Sequence, residues 1–107
     1  MCYNWVMDAE EYDKESRRLV VQRDRWRCVV CGHQAHDIHE IIPRSALPGK
    51  QNANILFSEK NRCCLCRKCH ASVHTVWGRT MLLGIMMLKY GYRYPELPFS
   101  KYFKARL

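Results

Sequence analysis

The first element that the pattern of polar and apolar residues predicts is a helix over residues 8–26. Its first turn is acidic and its later turns are basic, which is the order that the helix dipole favours. Asp8 and Glu11 have the spacing of a capping box, so the helix is expected to begin with that pair. A tight knuckle with the sequence "CVVCGHQ" follows the helix.

Two short strands are expected after this knuckle. One is the apolar stretch 38–42, which Pro43 ends, and the other is "RCCL", residues 62–65. Between them, residues 44–60 combine proline, glycine and asparagine in the manner of a long loop. The strands are therefore predicted to be joined by irregular chain.

Two further helices are predicted in the second half of the chain. They are expected over residues 67–77 and 80–90, with Gly91 as the stop of the second. Prolines in the aromatic and basic tail preclude one continuous helix there. Because the apolar residues of 80–90 face nearly all round, this helix either covers the core of a monomer or forms the interface of a homodimer.

The composition adds an anionic partner to this picture. The chain has 107 residues, enough for one domain (1–107), and its 18 basic against 10 acidic residues favour binding to nucleic acid over a merely soluble basic protein. The longest apolar run, residues 81–88, is far too short to span a membrane. Since the N-terminus does not resemble a signal peptide, an intracellular location is expected, where seven cysteines favour metal binding over disulfides.

Two cysteine pairs predict a zinc site. Cys28 and Cys31 form one pair at zinc-knuckle spacing, and Cys66 and Cys69 form the other. Four thiolates complete a tetrahedral structural site, whereas the alternative is one reactive dithiol beside unrelated cysteines. The gap between the pairs is wider than that of a simple zinc ribbon, so the clamp contains an insert. The cysteines outside the pairs are interpreted as buried small residues or free thiols: Cys2, Cys63 and Cys64.

Histidines gather around the same knuckles. The insert contains "DIHEIIPRS", in which His39 and Glu40 begin an apolar stretch. His70 and His74 follow the second knuckle four residues apart, and are expected on one face of the helix 67–77, within reach of one ion.

Together, the two cysteine pairs, "HEIIPRS", Asn61 and "LCRKCHASVH" resemble the HNH endonuclease family. The resemblance covers about residues 17–77, the expected core, and the helix and tail over 78–107 are similar to the end of small phage-type members. It implies an α+β fold in which a ββα-metal unit (a His-Me finger) is stapled by a four-cysteine zinc and flanked by N-terminal and C-terminal helices. It also implies divalent-metal-dependent hydrolysis of phosphodiester bonds in DNA.

The resemblance assigns roles to individual residues. It implies that His39, His70 and His74 are ligands of a catalytic ion, which is Mg, Mn, Ni or Zn. It implies that Asn61 orients the hairpin and the base, with Asn54 as a rival for that position. It implies a bacterial or phage-infected cytoplasm as the location and a phage packaging complex as a partner.

Glu40 is the departure from the family pattern, because the resemblance places it where the family normally has the histidine that activates water. Carboxylates do serve as general bases. A general base works well when its pKa lies near the pH at which the enzyme operates. Three interpretations stay open: Glu40 is the base, it is an additional ligand beside another base, or the site is degenerate. His36 is the candidate substitute base, although its three-residue offset from His39 is unfavourable.

Arginines and lysines frame this region, and Arg44 is the one that we expect to contact a phosphate of DNA. The competing function is a non-catalytic, zinc-stabilised nucleic-acid-binding module derived from such a nuclease. The set of histidines argues against that alternative, because a binding module needs no ligands outside the four cysteines. Glu40 argues for it.

Overall fold

The structure is a computed structural model that describes residues 8–103. It has a mixed α/β architecture, with a two-stranded sheet and helices that follow each other in the order α1 (Ala9–Asp24), β1 (Asp37–Glu40), α2 (Ala53–Leu56), β2 (Arg62–Leu65), α3 (Arg67–Ser72), α4 (Val76–Tyr90) and α5 (Leu97–Phe103). Cys2 and the two ends of the predicted domain lie outside the described residues. Among the residues described, no helix has both the length and the apolar character that crossing a bilayer requires.

The beginning of α1 confirms the predicted cap. The side chain of Asp8 accepts a hydrogen bond from the backbone N–H of Glu11 at 2.9 Å, which satisfies one of the free amides of the first turn. The helix ends at Asp24, two residues earlier than predicted, because Arg25 takes a left-handed conformation with φ of 58°. Trp26 also has a positive φ, so the chain turns here toward the first cysteine knuckle.

The two strands pair in antiparallel register. Ile38 lies opposite Cys64, His39 opposite Cys63, and Glu40 opposite Arg62. Both strands are short, at four residues each, and α3 follows directly after β2 and contacts both of them. The end of β1 and the start of β2 therefore lie side by side at one end of the sheet.

The segment 44–60 is not the irregular loop that its composition predicted. It contains α2 and three single 3₁₀ turns, over 44–46, 50–52 and 59–61. Apolar side chains of this segment are buried in the main core, namely Leu47, Ala53, Leu56 and Phe57. Burial of these side chains stabilises local helical turns. The proline, glycine and asparagine residues of the segment had predicted a loop instead.

The predicted helix 67–77 is wrong in its second half. α3 ends at Ser72, and α4 begins at Val76 rather than at residue 80. The side chain of Thr75 caps α4 by accepting a hydrogen bond from the N–H of Gly78 at 2.9 Å. Gly78 also packs directly against the backbone of Val73, so the two helices meet in a tight corner.

α4 stops at Gly91 as predicted, with φ of 71° and an N–H bonded to the carbonyl of Met87 at 2.9 Å. Leu82, Leu83 and Met86 are fully buried on one face of α4. The tail after Gly91 forms α5, which the sequence did not predict. Its proline lies in the first turn, where a missing N–H is tolerated.

The corner between α3 and α4 generates a prediction about two glycines in one helix. A Cβ at residue 78 would lie 2.7 Å from the Cα of Val73, and backbone cannot move aside as a side chain can. A Cβ at Gly84 would meet nothing within 4 Å. We expect Gly78→Ala to lower the free energy of unfolding by about 1–3 kcal/mol through overpacking. Gly84→Ala, the matched control, should raise it by about 0.5–1 kcal/mol, as alanine usually does in a helix.

Chemical denaturation of the metal-loaded protein measures both changes. Equal stabilisation by Gly78→Ala and Gly84→Ala would contradict the close packing of Gly78 against Val73.

Candidate metal centres

The two cysteine knuckles converge as predicted. The ligand atoms of Cys28, Cys31, Cys66 and Cys69 all lie within 4.8 Å of one another, and no other group of three or more such side chains among residues 8–103 is gathered so tightly. Local geometry positions each pair: the N–H of Gly32 bonds back to the carbonyl of Cys28 at 2.9 Å. Cys66 is the N-cap of α3, and its sulfur lies 3.4 Å from the amide nitrogen of Cys69. This group can hold a metal ion such as zinc.

Two thiols of the four-cysteine group differ in how readily they ionise. Burial opposes ionisation of Cys28, but hydrogen bonds from backbone amides, including that of Cys66, lower the pKa of its thiol to about 7. Burial and the neighbouring thiols raise the pKa of Cys69 to about 12. One sulfur of the cluster is thus easily ionised while another is not. A bound cation would stabilise all four as thiolates, because coordination deprotonates a thiol.

Two of the remaining cysteines are buried small residues, which is one of the two interpretations that the sequence left open for the cysteines outside the pairs. Cys63 and Cys64 are fully buried on β2, outside the four-cysteine group. Burial raises the pKa of both thiols, to about 12 for Cys64. These thiols therefore contribute to packing and are poor nucleophiles.

A second cluster is formed by three histidines. The ring centroid of His39 lies 4.8 Å from that of His70 and 5.4 Å from that of His74, and the latter two are 5.0 Å apart. His70 and His74 were predicted to share one helix, but they do not, because α3 ends at Ser72. His74 reaches the cluster from the corner between α3 and α4 instead. The nitrogens of the three rings are less tightly gathered than the cysteine sulfurs, so an ion there would have to draw them together.

His39 is the buried member of this cluster. The residue is only 5% exposed, and its Nε2 atom is buried without a hydrogen-bond partner among the described residues. An unpaired buried nitrogen costs free energy, so each such atom calls for an explanation. Burial, followed by the positive potential of His70, His74 and Arg79, lowers the pKa of His39 to about 3. The ring is therefore neutral at pH 7, as a metal ligand must be.

Asp37 orients His70. The Nδ1–H of His70 donates to Oδ2 of Asp37 at 3.0 Å, and this bond, against the opposing effect of burial, holds the pKa of the aspartate below its usual value. An ionised carboxylate on Nδ1 leaves Nε2 as the free acceptor of the ring, an arrangement typical of metal-bound histidine. Sequence reasoning did not assign a role to Asp37. The available signal was its spacing of two residues from His39, which places both on one face of β1.

Asn61 ties the two strands together. It is fully buried, its Oδ1 accepts from the N–H of Ile42 at 2.8 Å, and its Nδ2 donates to the carbonyls of Ile42 and Leu56. These bonds hold the chain after β1 against the chain before β2. The side chain of Asn54 is exposed on α2, so it has no comparable position.

Glu40 follows His39 at the end of β1 and is held by two arginines. Its Oε2 accepts from Arg62 at 3.0 Å and from Arg44 at 3.2 Å. Arg62 is completely buried and also pairs with Asp13 on α1. Arg44 is 61% exposed at the level of its side chain, which leaves it accessible to a further anion. The buried arginine and the two carboxylates form one charged network. Removing any one of these charges would destabilise the fold, because it would leave a buried charge without its partner.

The residues of this cluster surround an open cavity of about 290 Å³, lined among others by His39, His70, His74, Glu40, Arg44 and Arg79. A larger and mainly apolar groove of about 830 Å³ runs beside α5. Its lining contains no histidine, cysteine or acidic residue. The smaller cavity is therefore the candidate reactive site.

Comparison of the chain with models of protein families, with curated proteins and with solved structures found no match. The function is therefore argued from the two clusters themselves.

The four-cysteine group predicts one metal ion whose binding is coupled to folding. Cys31→Ser should abolish binding of this ion and lower the free energy of unfolding, because metal binding contributes folding energy in a small domain. Cys64→Ala is the matched control: it removes a buried cysteine outside the group, so metal should stay bound. Cobalt substitution, followed by the thiolate-to-metal absorption, reads out the site directly. An unchanged cobalt spectrum and unchanged stability in Cys31→Ser would rule out the site.

The buried His39 predicts a dependence of stability on pH. With a pKa of about 3 in the folded protein and about 6.5 in the unfolded chain, the unfolded state binds more protons between these values. The free energy of unfolding should therefore fall as the pH drops below 6.5, by about 2 kcal/mol at pH 5 from this residue. Denaturation at several pH values, with one equivalent of zinc, should show a shallower dependence in His39→Asn. Identical pH dependences in the two proteins would contradict the assignment.

Proposed function

We propose that the protein is a divalent-metal-dependent endonuclease that hydrolyses phosphodiester bonds in DNA in the manner of HNH enzymes. The observation that carries the proposal is the buried, unpartnered Nε2 of His39 in a cavity shared with two further histidines. The order β1, β2, α3 around that cavity is compatible with a ββα-metal unit. The excess of basic residues supports DNA as the partner.

His39, His70 and His74 would hold the catalytic ion, and Asp37 would keep His70 in the tautomer that leaves Nε2 free. When bound, a divalent cation supplies stabilisation of charge on the phosphate and on the leaving oxygen. The four-cysteine group would hold a separate, structural zinc, which needs no open position. Asn61 would maintain the hairpin that carries His39.

Glu40 would accept the proton of the attacking water. Its ion pairs with Arg62 and Arg44 are both made through Oε2. Oε1 is therefore the oxygen that we propose as the base, in a carboxylate whose orientation is fixed by a buried guanidinium. Fixed orientation is what a general base requires.

The same ion pairs favour a second candidate, a non-catalytic nucleic-acid-binding module. A carboxylate held by two arginines can serve purely to bridge α1 and the sheet, with no reaction in the cavity. DNA would then be held by Lys and Arg alone. Loss of the histidine cluster would not affect such a protein's affinity for DNA.

Cleavage of supercoiled plasmid distinguishes the two candidates. Wild type is incubated with Mg²⁺, Mn²⁺, Ni²⁺ or Zn²⁺, with a metal-free control. We expect metal-dependent nicking or linearisation by wild type and none by His70→Ala, which removes a ligand while leaving the basic surface intact. His36 is the candidate substitute base, but it is exposed and does not line the cavity, so His36→Ala should keep wild-type activity. Wild-type rates in His70→Ala would remove His70 from the site.

Glu40→Gln then separates the three interpretations of Glu40 in the same assay. If Glu40 is the base, single-turnover cleavage should fall by about two orders of magnitude at every metal concentration. If it is a ligand, excess metal should restore much of the rate. If the site is degenerate, wild type is inactive and Glu40→His is the variant that can gain activity. Full activity of Glu40→Gln at all metal concentrations would exclude both functional roles.

A further inference from the structure

Arg79 enters the histidine cavity without an acceptor of its own. It lines the cavity beside His39 and His74, and its positive charge contributes to the potential felt by His39. Its Nε atom is buried and makes no hydrogen bond to any residue within 8–103. A buried guanidinium N–H without an acceptor is unfavourable, and the cavity is where an acceptor could bind.

The other cavity arginines differ from Arg79 in their ion pairs, although the Nε atom of Arg62 is likewise buried without a hydrogen bond among residues 8–103. Each of them is already paired with a carboxylate: Arg17 with Asp13, Arg44 with Glu40, and Arg62 with both acids. Arg79 makes no ion pair in the part of the chain that the structure describes. Glu40 is the single acidic residue in the lining, so the cavity carries a net positive charge that an anion would balance.

The fold holds Arg79 in this position. It belongs to the first turn of α4, where its backbone N–H bonds to the carbonyl of Thr75 at 2.9 Å. The preceding Gly78 is packed against Val73, which fixes the corner between α3 and α4. His74 and Arg79 therefore line the cavity from the same packed corner, one before and one after the start of α4.

We infer that Arg79 binds a non-bridging oxygen of a DNA phosphodiester in the histidine cavity. A planar guanidinium presents several N–H donors in a fixed fork that matches phosphate oxygens, which an ammonium group does not. The inference rests on the proposed function for its choice of a DNA phosphodiester as the anion. It adds to that function the residue that holds the reacting phosphate against the three histidines.

Binding of DNA tests the inference without any need for turnover. The probe is a fluorescently labelled duplex that carries no terminal phosphates, titrated with protein that holds one equivalent of zinc and with no further metal added. Arg79→Gln should weaken binding by about tenfold or more, the scale of a charge-assisted hydrogen bond. The slope of log affinity against log salt should become shallower by about one contact. Arg79→Lys should recover part of the affinity, because it keeps the charge but not the fork.

Arg93→Gln is the matched control, since it removes the same charge from an exposed residue outside the cavity lining. It should weaken binding much less than Arg79→Gln does. Equal losses in the two variants would overturn the inference, because they would show that Arg79 contributes only general charge. Thermal unfolding of both variants verifies that neither change acts through the fold.

The NMR signal of the Arg79 Nε–H group, identified by its absence in Arg79→Lys, distinguishes two sources of phosphate. A shift of this signal on addition of the duplex, and a smaller one with equimolar inorganic phosphate, supports a DNA phosphodiester. A shift with inorganic phosphate alone, together with unchanged DNA affinity in Arg79→Gln, would overturn it in favour of a free-phosphate site.

Failure of the proposed function is recognised separately. If wild type cleaves no plasmid with any metal but Arg79→Gln still loses DNA affinity beyond the Arg93→Gln control, the phosphate contact stands in a binding protein. If wild type cleaves plasmid while Arg79→Gln matches Arg93→Gln in affinity and rate, the nuclease stands and the role of Arg79 is wrong.

Discussion

Four cysteine sulfurs from two distant knuckles lie within 4.8 Å of one another, at the point where the sheet, α3 and the histidine cluster meet. One knuckle precedes β1 and the other begins α3, directly after β2. When the sulfurs meet, the ends of a sheet with only four residues in each strand are brought into register. Such a short pair of strands has little stability alone. A metal ion at the cysteines would supply the missing cohesion at the point where the sheet and α3 join.

The same junction carries the histidines. His70 follows Cys69 directly in α3, and His39 lies on β1 opposite Cys63. Any shift of α3 relative to the sheet would therefore move two members of the histidine cluster apart. The cysteine group and the histidine cavity share one small scaffold, so the arrangement of the histidines depends on the positions of the two knuckles.

Burial and charged neighbours act on different residues of the cavity. Burial keeps His39 neutral, and Asp37 fixes the tautomer of His70, so both rings present a free nitrogen. Arg62, completely buried, ties Glu40 to α1 through Asp13. The N-terminal helix thus contributes to the cavity although its own residues are mainly solvated. A charged network of this kind favours one arrangement of the helix and the sheet, because any slip would leave a buried guanidinium unpaired.

Local signals in the sequence determined the elements that depend on near neighbours. The cap at Asp8, the stop at Gly91, the strand over 62–65 and the pairing of the two Cys-x-x-Cys knuckles were all predictable, because each depends on residue types a few positions apart. The break between α3 and α4 was predicted, but at residues 78–79 instead of 73–75. Its position depends on how closely Gly78 approaches Val73, and residue types a few positions apart do not report this backbone contact.

The contacts that define the cavity were decided by tertiary structure alone. Asp37 meets His70 across 33 positions of sequence, and Glu40 meets Arg62 across 22. In the sequence, Arg62 and Arg79 were two of many basic residues, and nothing local distinguished them from a solvated face. Folding buried one between two carboxylates and placed the other in the cavity lining with no ion pair among the described residues. Desolvation and pairing depend on which distant groups surround a side chain, and the chain acquires those surroundings only when it folds.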